Sequence, residues 1–235
     1  MSATLRLDPR AQALLSEACD WRLLELLFER PRPGWHREVA ELADGTQDAQ
    51  LRAAALDAHA ADEGGYLARL GPGGLAPARE AGYRRALDPA ETLAWLQAAH
   101  QAFAFAPRAE DPPDHVALLC GFRGWLALKQ AYALAAQDAE SAALAEELAR
   151  ELERRHLALI AEPLVERLGA APESHVLGAA RVLLARVGPR PGDVEGGWVP
   201  EGLDGSACGA GCGAEEGDGC EDTLLAGIAS ELRDG

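Results

Sequence analysis

No apolar run in this chain approaches the ~18 residues that a membrane-spanning helix needs. Residues 1–10 lack the apolar core of a secretory signal. The cytoplasm is therefore the expected compartment, with no membrane partner. Aromatic residues make up only 5% of the chain, and alternating β-branched runs are missing, so no convincing strand is read. No repeat recurs at a fixed period. The phosphate-loop pattern Gly-x-x-x-x-Gly-Lys-Ser/Thr is absent, as is the Gly-x-Ser-x-Gly elbow of acyl-transfer enzymes. Gly71-Pro72-Gly73-Gly74 does not follow a strand and has no adjacent lysine, so it reads as a tight turn. An enzyme is not expected. The odd count of five cysteines and the expected compartment argue against a disulfide framework. Cys19 and Cys120 fall within helical patterns and read as buried free thiols.

Positive charge is also scarce: the formal net charge is −16. Half of it lies in residues 201–235, where nine carboxylates face one arginine. Such a chain is a poor binder of nucleic acid or of anionic membranes and suits a cationic partner. What is abundant is alanine and leucine. The hydrophobic fraction is 48% over 235 residues, enough for one sizeable core and weighted toward helix. Leu14, Ala18, Trp21, Leu24 and Phe28 recur at three- and four-residue steps over residues 9–29, and Pro31-Arg32-Pro33-Gly34 ends that segment. Shorter helices are expected over 35–42 and 47–61. Asp88-Pro89 opens another, carrying Leu93, Leu96 and His100 or Phe103 on one side. Later faces are formed by Leu118, Phe122, Trp125, Lys129 and Tyr132, then by Leu144, Leu148, Leu152 and Leu159 over 141–168. Val176, Ala180, Leu183 and Val187 follow over 173–187. The expected architecture is an all-α, single-domain bundle over residues 1–187, its two halves meeting at a Pro-rich hinge at 107–115. Residues 188–235 change composition to Gly, Pro and acid. They read as a largely disordered tail, with one last apolar stretch at 223–232 that either docks or stays free.

Within the hinge, Glu110-Asp111-Pro112-Pro113-Asp114-His115 breaks both neighbouring helical patterns, because the two prolines lack donors and fix φ. Asp114 is expected to cap the helix beginning at Val116. The hexamer is either a plain helix start or a charged recognition hinge. In the tail, Cys208, Cys212 and Cys220 offer three thiols to a metal, but the fourth ligand and the paired spacing of zinc ribbons are missing. A flexible tail with exposed thiols is the plainer alternative. Glu153-Arg154-Arg155-His156 is a single Glu-x-x-His, where di-iron bundles need two. His156 is read as a packing or hydrogen-bonded histidine.

Several segments together carry a resemblance to one family. Tyr66-Leu67-Ala68-Arg69-Leu70-Gly71-Pro72-Gly73-Gly74, Pro77-Ala78-Arg79-Glu80-Ala81-Gly82-Tyr83, Glu110-x-Pro112-x-Asp114-His115, Phe122 and Arg155-His156-Leu157 resemble the motifs of TorD-like chaperones of molybdoenzymes, in patches over residues 66–187. The pattern is most similar to chaperones of the type II dimethyl sulfoxide reductase branch. The resemblance implies an all-α cytoplasmic chaperone without catalytic activity or a cofactor of its own, working as a monomer or homodimer. Its partner would be the immature catalytic subunit of a molybdopterin oxidoreductase and that subunit's twin-arginine leader. The chaperone would assist cofactor insertion and prevent premature export. Gly121 departs from the pattern, standing where family members often carry an acid before Phe122. A receptor for paired guanidinium groups needs carboxylates at one end of an apolar groove. The candidate client-binding residues are Glu110, Asp111, Asp114, His115, Phe122, Trp125 and Tyr83. The alternative function is a metal- or redox-linked helical protein acting through Cys208, Cys212 and Cys220.

Overall fold

The computed structural model describes residues 8–84, 89–107 and 111–190. Their regular structure is helical throughout: α1 (Pro9–Phe28), α2 (Trp35–Gly45), α3 (Ala49–Asp57), α4 (Glu63–Leu70), α5 (Pro89–Ala102), α6 (Val116–Ala135), α7 (Ala139–Leu152), α8 (Ala158–Leu168) and α9 (His175–Val187). Among the described residues there is no strand, only an isolated antiparallel bridge between Arg79 and His115. The all-α expectation is met. The second and third helices differ in length from expectation: α2 continues to Gly45, and α3 begins at Ala49 and passes into a 3₁₀ turn, Ala58–Ala60. The long pattern over 141–168 proves to be α7 and α8 joined through a π-helical turn, Glu153–Leu157. A π turn inserts one extra residue per turn and shifts every following side chain around the axis, which a constant 3.6 period does not reveal.

Capping explains most helix starts. Asp8, Asp48, Asp62, Asp138 and Ser174 each accept a backbone N–H from the first turn of the helix that follows, satisfying donors that the helix itself leaves unpaired. At the Gly-Pro-Gly-Gly segment the Gly74 N–H donates to the Gly71 carbonyl at 2.9 Å, and Gly73 adopts φ +76°. This is the tight turn read from the sequence.

The core sits on α6. Thirteen of its twenty residues are buried, the pattern of a helix enclosed on nearly all sides. It lies between α1 and α7, while α8 and α3 pack on α9. Close approach of α1 requires Gly124: a Cβ there would lie 3.0 Å from Trp21 Cβ and 3.2 Å from the Ala18 carbonyl. Trp21, Leu24, Phe28, Phe122, Leu148, Leu164 and Leu183 belong to one continuous hydrophobic cluster, so residues before and after the hinge share a core. Cys120 is buried, but Cys19 is exposed, correcting its expected burial: it lies on the solvent side of α1, off the Trp21–Leu24–Phe28 face.

Candidate functional site

Two neighbourhoods along α6 carry the polar chemistry. The first is at its N-terminus. His115, not Asp114, caps α6: its Nδ1 accepts the Ala117 N–H at 3.2 Å. With Nδ1 accepting, the neutral ring carries its proton on Nε2, which lies 3.3 Å from Tyr66 Oη. Burial pulls the His115 pKa below its usual value, with Asp111 and Asp114 opposing the shift. Burial also pushes Tyr66 up to about 12, and Asp111 adds to it. Asp114 is 1% exposed and turns away from α6. It accepts Arg79 Nε at 2.9 Å and the Ala81 N–H at 3.2 Å. The expected cap is thus corrected, because an arginine and an unpaired N–H from the 79–82 turn attract this carboxylate more strongly than the neutral N–H groups of α6.

That turn is held on its other side by Glu80, which is fully buried. Glu80 accepts His156 Nδ1 at 2.7 Å and also pairs with Arg84. Arg84 in turn donates to the Arg155 carbonyl at 2.6 Å, and the His156 ring stacks on Trp95 at 4.7 Å. His156 therefore packs and hydrogen-bonds, as read from the sequence. Tyr83 is half-buried, donates to the Pro77 carbonyl at 2.8 Å and lies under the Arg167 guanidinium. These groups have internal partners, and their geometry fastens the 76–84 segment to the hinge and to the π turn.

The second neighbourhood is a groove of about 330 Å³ between α1, α6 and the chain leaving α5. Its apolar wall consists of Phe105, Pro107, Trp125 and Leu128, with Leu128 40% exposed. Trp125 is half-buried, and its Nε1 donates to the Phe103 carbonyl at 2.8 Å. Fully buried Phe122 lies behind this wall, 5.2 Å from the Phe105 ring and 4.6 Å from His100. The floor is polar. The Glu25 carboxyl carbon lies 2.4 Å from the point where a Cβ on Gly121 would sit. An acid reaching over from α1 therefore fills the space that Gly121 leaves. Arg22 pairs with Glu25 at 2.6 Å and with Glu29 at 3.1 Å. Burial alone would lower the Arg22 pKa, but these two carboxylates outweigh it and raise it. Arg32 joins Glu29 and Glu38. Burial pushes the Cys120 thiol well up, so it is a packing residue.

Of the sequence-derived candidates, Asp114, His115 and Tyr83 come together at the hinge, with exposed Asp111 beside them. Phe122 and Trp125 come together at the groove, about 10–15 Å away along α6 at 1.5 Å per residue. Glu110, Cys208, Cys212 and Cys220 lie outside the described residues. Among the described residues no group of three or more histidine, cysteine or acidic side chains is placed to hold a metal, and no helix is long and apolar enough to cross a membrane. Sequence reasoning missed Glu25, Phe105 and Leu128. The available signal was Glu25 itself, a lone acid in the run Leu23-Leu24-Glu25-Leu26-Leu27, together with a glycine at mid-helix. No family model, no curated protein and no solved structure matches this chain.

Proposed function

We propose that this protein is a non-catalytic helical chaperone of the TorD-like kind. In this reading it binds the immature catalytic subunit of a molybdopterin oxidoreductase and its twin-arginine leader in the cytoplasm, before cofactor insertion and export. The reading rests on the motif resemblance, and the helical order agrees with it. The observation that carries it furthest is the groove: an open apolar wall ending at carboxylates that already hold a guanidinium. Arg22, gripped by Glu25 and Glu29, is an internal example of how a client arginine would be held there. Glu25 also supplies an acid beside Phe122 at the position where Gly121 departs from the family pattern. The hinge residues Asp114 and His115 act in this reading by positioning the start of α6.

Titration of leader-like peptides by calorimetry tests the proposal. A peptide with paired arginines before an apolar stretch is expected to bind. Replacing both arginines by lysine should weaken it about tenfold, because lysine lacks the planar fork. Trp125→Ala and Glu25→Gln are each expected to weaken it further while the helical spectrum persists. Affinity purification from the native cytoplasm should return a molybdopterin subunit in large excess. Equal binding of both peptides, or no binding together with no such subunit recovered, overturns the proposal.

A further inference from the structure

We propose that the cavity between α3, α4 and the start of α9 binds a small free α-amino acid. It shares no lining residue with the α1–α6 groove and does not depend on the proposed function. Its volume is about 190 Å³, the share of about six waters in the liquid, so its ligand is small. His175 is the first observation that points to a ligand. It lines the cavity and is 6% exposed. Its ring makes no hydrogen bond among the described residues, and Nε2 is buried without a partner. A buried ring nitrogen left unpaired costs free energy, which a bound partner would recover. Burial, reinforced by Arg69 and His36, pulls the His175 pKa down to about 4. At neutral pH the ring therefore offers one N–H and one lone pair.

The second observation is a pair of opposite charges held apart in the same cavity. Arg69 makes no ion pair among the described residues, and its Nη1 donates to the Gly65 carbonyl at 3.1 Å. Asp62 accepts the Gly65 N–H at 2.6 Å as the cap of α4, and no arginine or lysine of the described residues pairs with it. A Cβ on Gly65 would lie 3.1 Å from Asp62 Oδ1 and 3.4 Å from Arg69 Nη1. The two charges thus face one gap that the missing side chain leaves open, yet they stand too far apart to pair. An α-amino acid carries a carboxylate and an ammonium on one carbon. It can bridge that gap, its carboxylate on Arg69 and its ammonium on Asp62, each through a charge-assisted hydrogen bond. The thirteen-residue α9 starts at the cavity, with Ser174 and His175 among the lining residues, and its N-terminal partial charge supports the carboxylate.

The remaining lining residues favour a zwitterion over an ion of either sign. Asp57 is a second carboxylate without an ion pair among the described residues, so a plain anion would meet two uncompensated acids. Glu173 does not add a third, because Arg181 holds it through two bonds of 2.8 and 2.9 Å. A plain cation would meet Arg69 and the positive end of α9. Among the described residues no group is placed to hold a metal. Ala60 and Ala61 form the apolar part of the wall, which suits a short side chain.

The test is a titration of the full chain, carrying ¹⁵N-labelled histidine, with glycine, L-alanine and L-serine at neutral pH. The His175 ring signal is identified by its loss in His175→Gln. At least one of the three amino acids is expected to shift that signal and to saturate it. N-acetyl-L-alanine lacks the ammonium and L-alaninamide lacks the carboxylate, so each should bind about tenfold or more weakly than L-alanine. Asp62→Asn keeps an acceptor for the cap of α4, and Arg69 is only half-buried, so Asp62→Asn and Arg69→Gln should retain the helical spectrum. Each should weaken the amino acid about tenfold. No shift of His175 with any of the three overturns the proposal. Equal binding of a singly charged analogue overturns it too, because the site then reads one charge. Unchanged affinity in both variants places the binding elsewhere and overturns the assignment. Should a variant unfold, the analogue series on the unmodified chain still decides.

Discussion

Replacing Asp114 by alanine removes the acceptor of Arg79 Nε and of the Ala81 N–H in one step. The Arg79 side chain is 43% exposed and rehydrates, but the Ala81 donor is left facing a cavity. The expected cost is about 2–3 kcal/mol, the scale of a charge-assisted hydrogen bond plus an unsatisfied donor. A helix cap alone would be worth about 1 kcal/mol, so the size of the loss separates the two roles. Asp114→Asn, which keeps an acceptor, should recover part of it. Denaturant unfolding of the three proteins is the measurement, and a loss equal to that of an ordinary cap would contradict the observed pairing. His115 shows the same principle: its neighbours were legible as a helix start, but nothing local says which of two adjacent polar side chains turns inward. A contact across 35 residues, from Asp114 to Arg79, decided that.

At the scale of elements, Glu80 ties the 79–82 turn to the π turn through His156 and Arg84. Glu80→Ala removes the acceptor of buried His156 Nδ1 and the carboxylate partner of half-buried Arg84, and breaking a buried pair of this kind costs about 3–5 kcal/mol. The loss should be local first. Amide hydrogen exchange is expected to accelerate in residues 76–84 and in Glu153–Leu157 before it does so in α1 or α6, and uniform acceleration would show that the turn is not a separable unit. The helices themselves were largely readable, because apolar spacing in α1, α5, α6 and α9 matches a 3.6-residue period and because Asp-Pro, Pro-rich and Gly-rich breaks punctuate them. The π turn was not, since it leaves no compositional mark. The groove was half legible. Trp125 and Phe122 were visible as an apolar face of α6, but Glu25 reaches it only because Gly121 leaves room across a helix pair, and helix pairing is a tertiary fact.

For the molecule as a whole, buried His100, His115 and His175 are expected to contribute to the response to acid. His100 and His175 are both pulled down to about 4 by burial, and His115 is lowered for the same reason. The Nε2 atoms of His100 and His175 have no hydrogen-bond partner. In the unfolded chain a histidine takes up a proton near pH 6.5. Between that pH and about 4 the unfolded state therefore binds more protons than the folded one, so stability falls as pH falls through this window. The lowered Asp48, whose burial is outweighed by N–H groups of α3 and by Arg186, contributes stability that is lost only in more acidic solution. Together the histidines are expected to cost about 2–4 kcal/mol between pH 7 and pH 5, each at up to ~1.4 kcal/mol per pH unit. His100→Leu tests the assignment. Its ring lies between Phe105 and Phe122, so a leucine there stays within an apolar cluster. Removing an unpartnered buried nitrogen should leave stability at pH 7 unchanged or higher. The drop from pH 7 to pH 5, read from denaturant midpoints, should shrink by about a third to a half. A drop of the same size in the variant would assign acid sensitivity to groups other than His100.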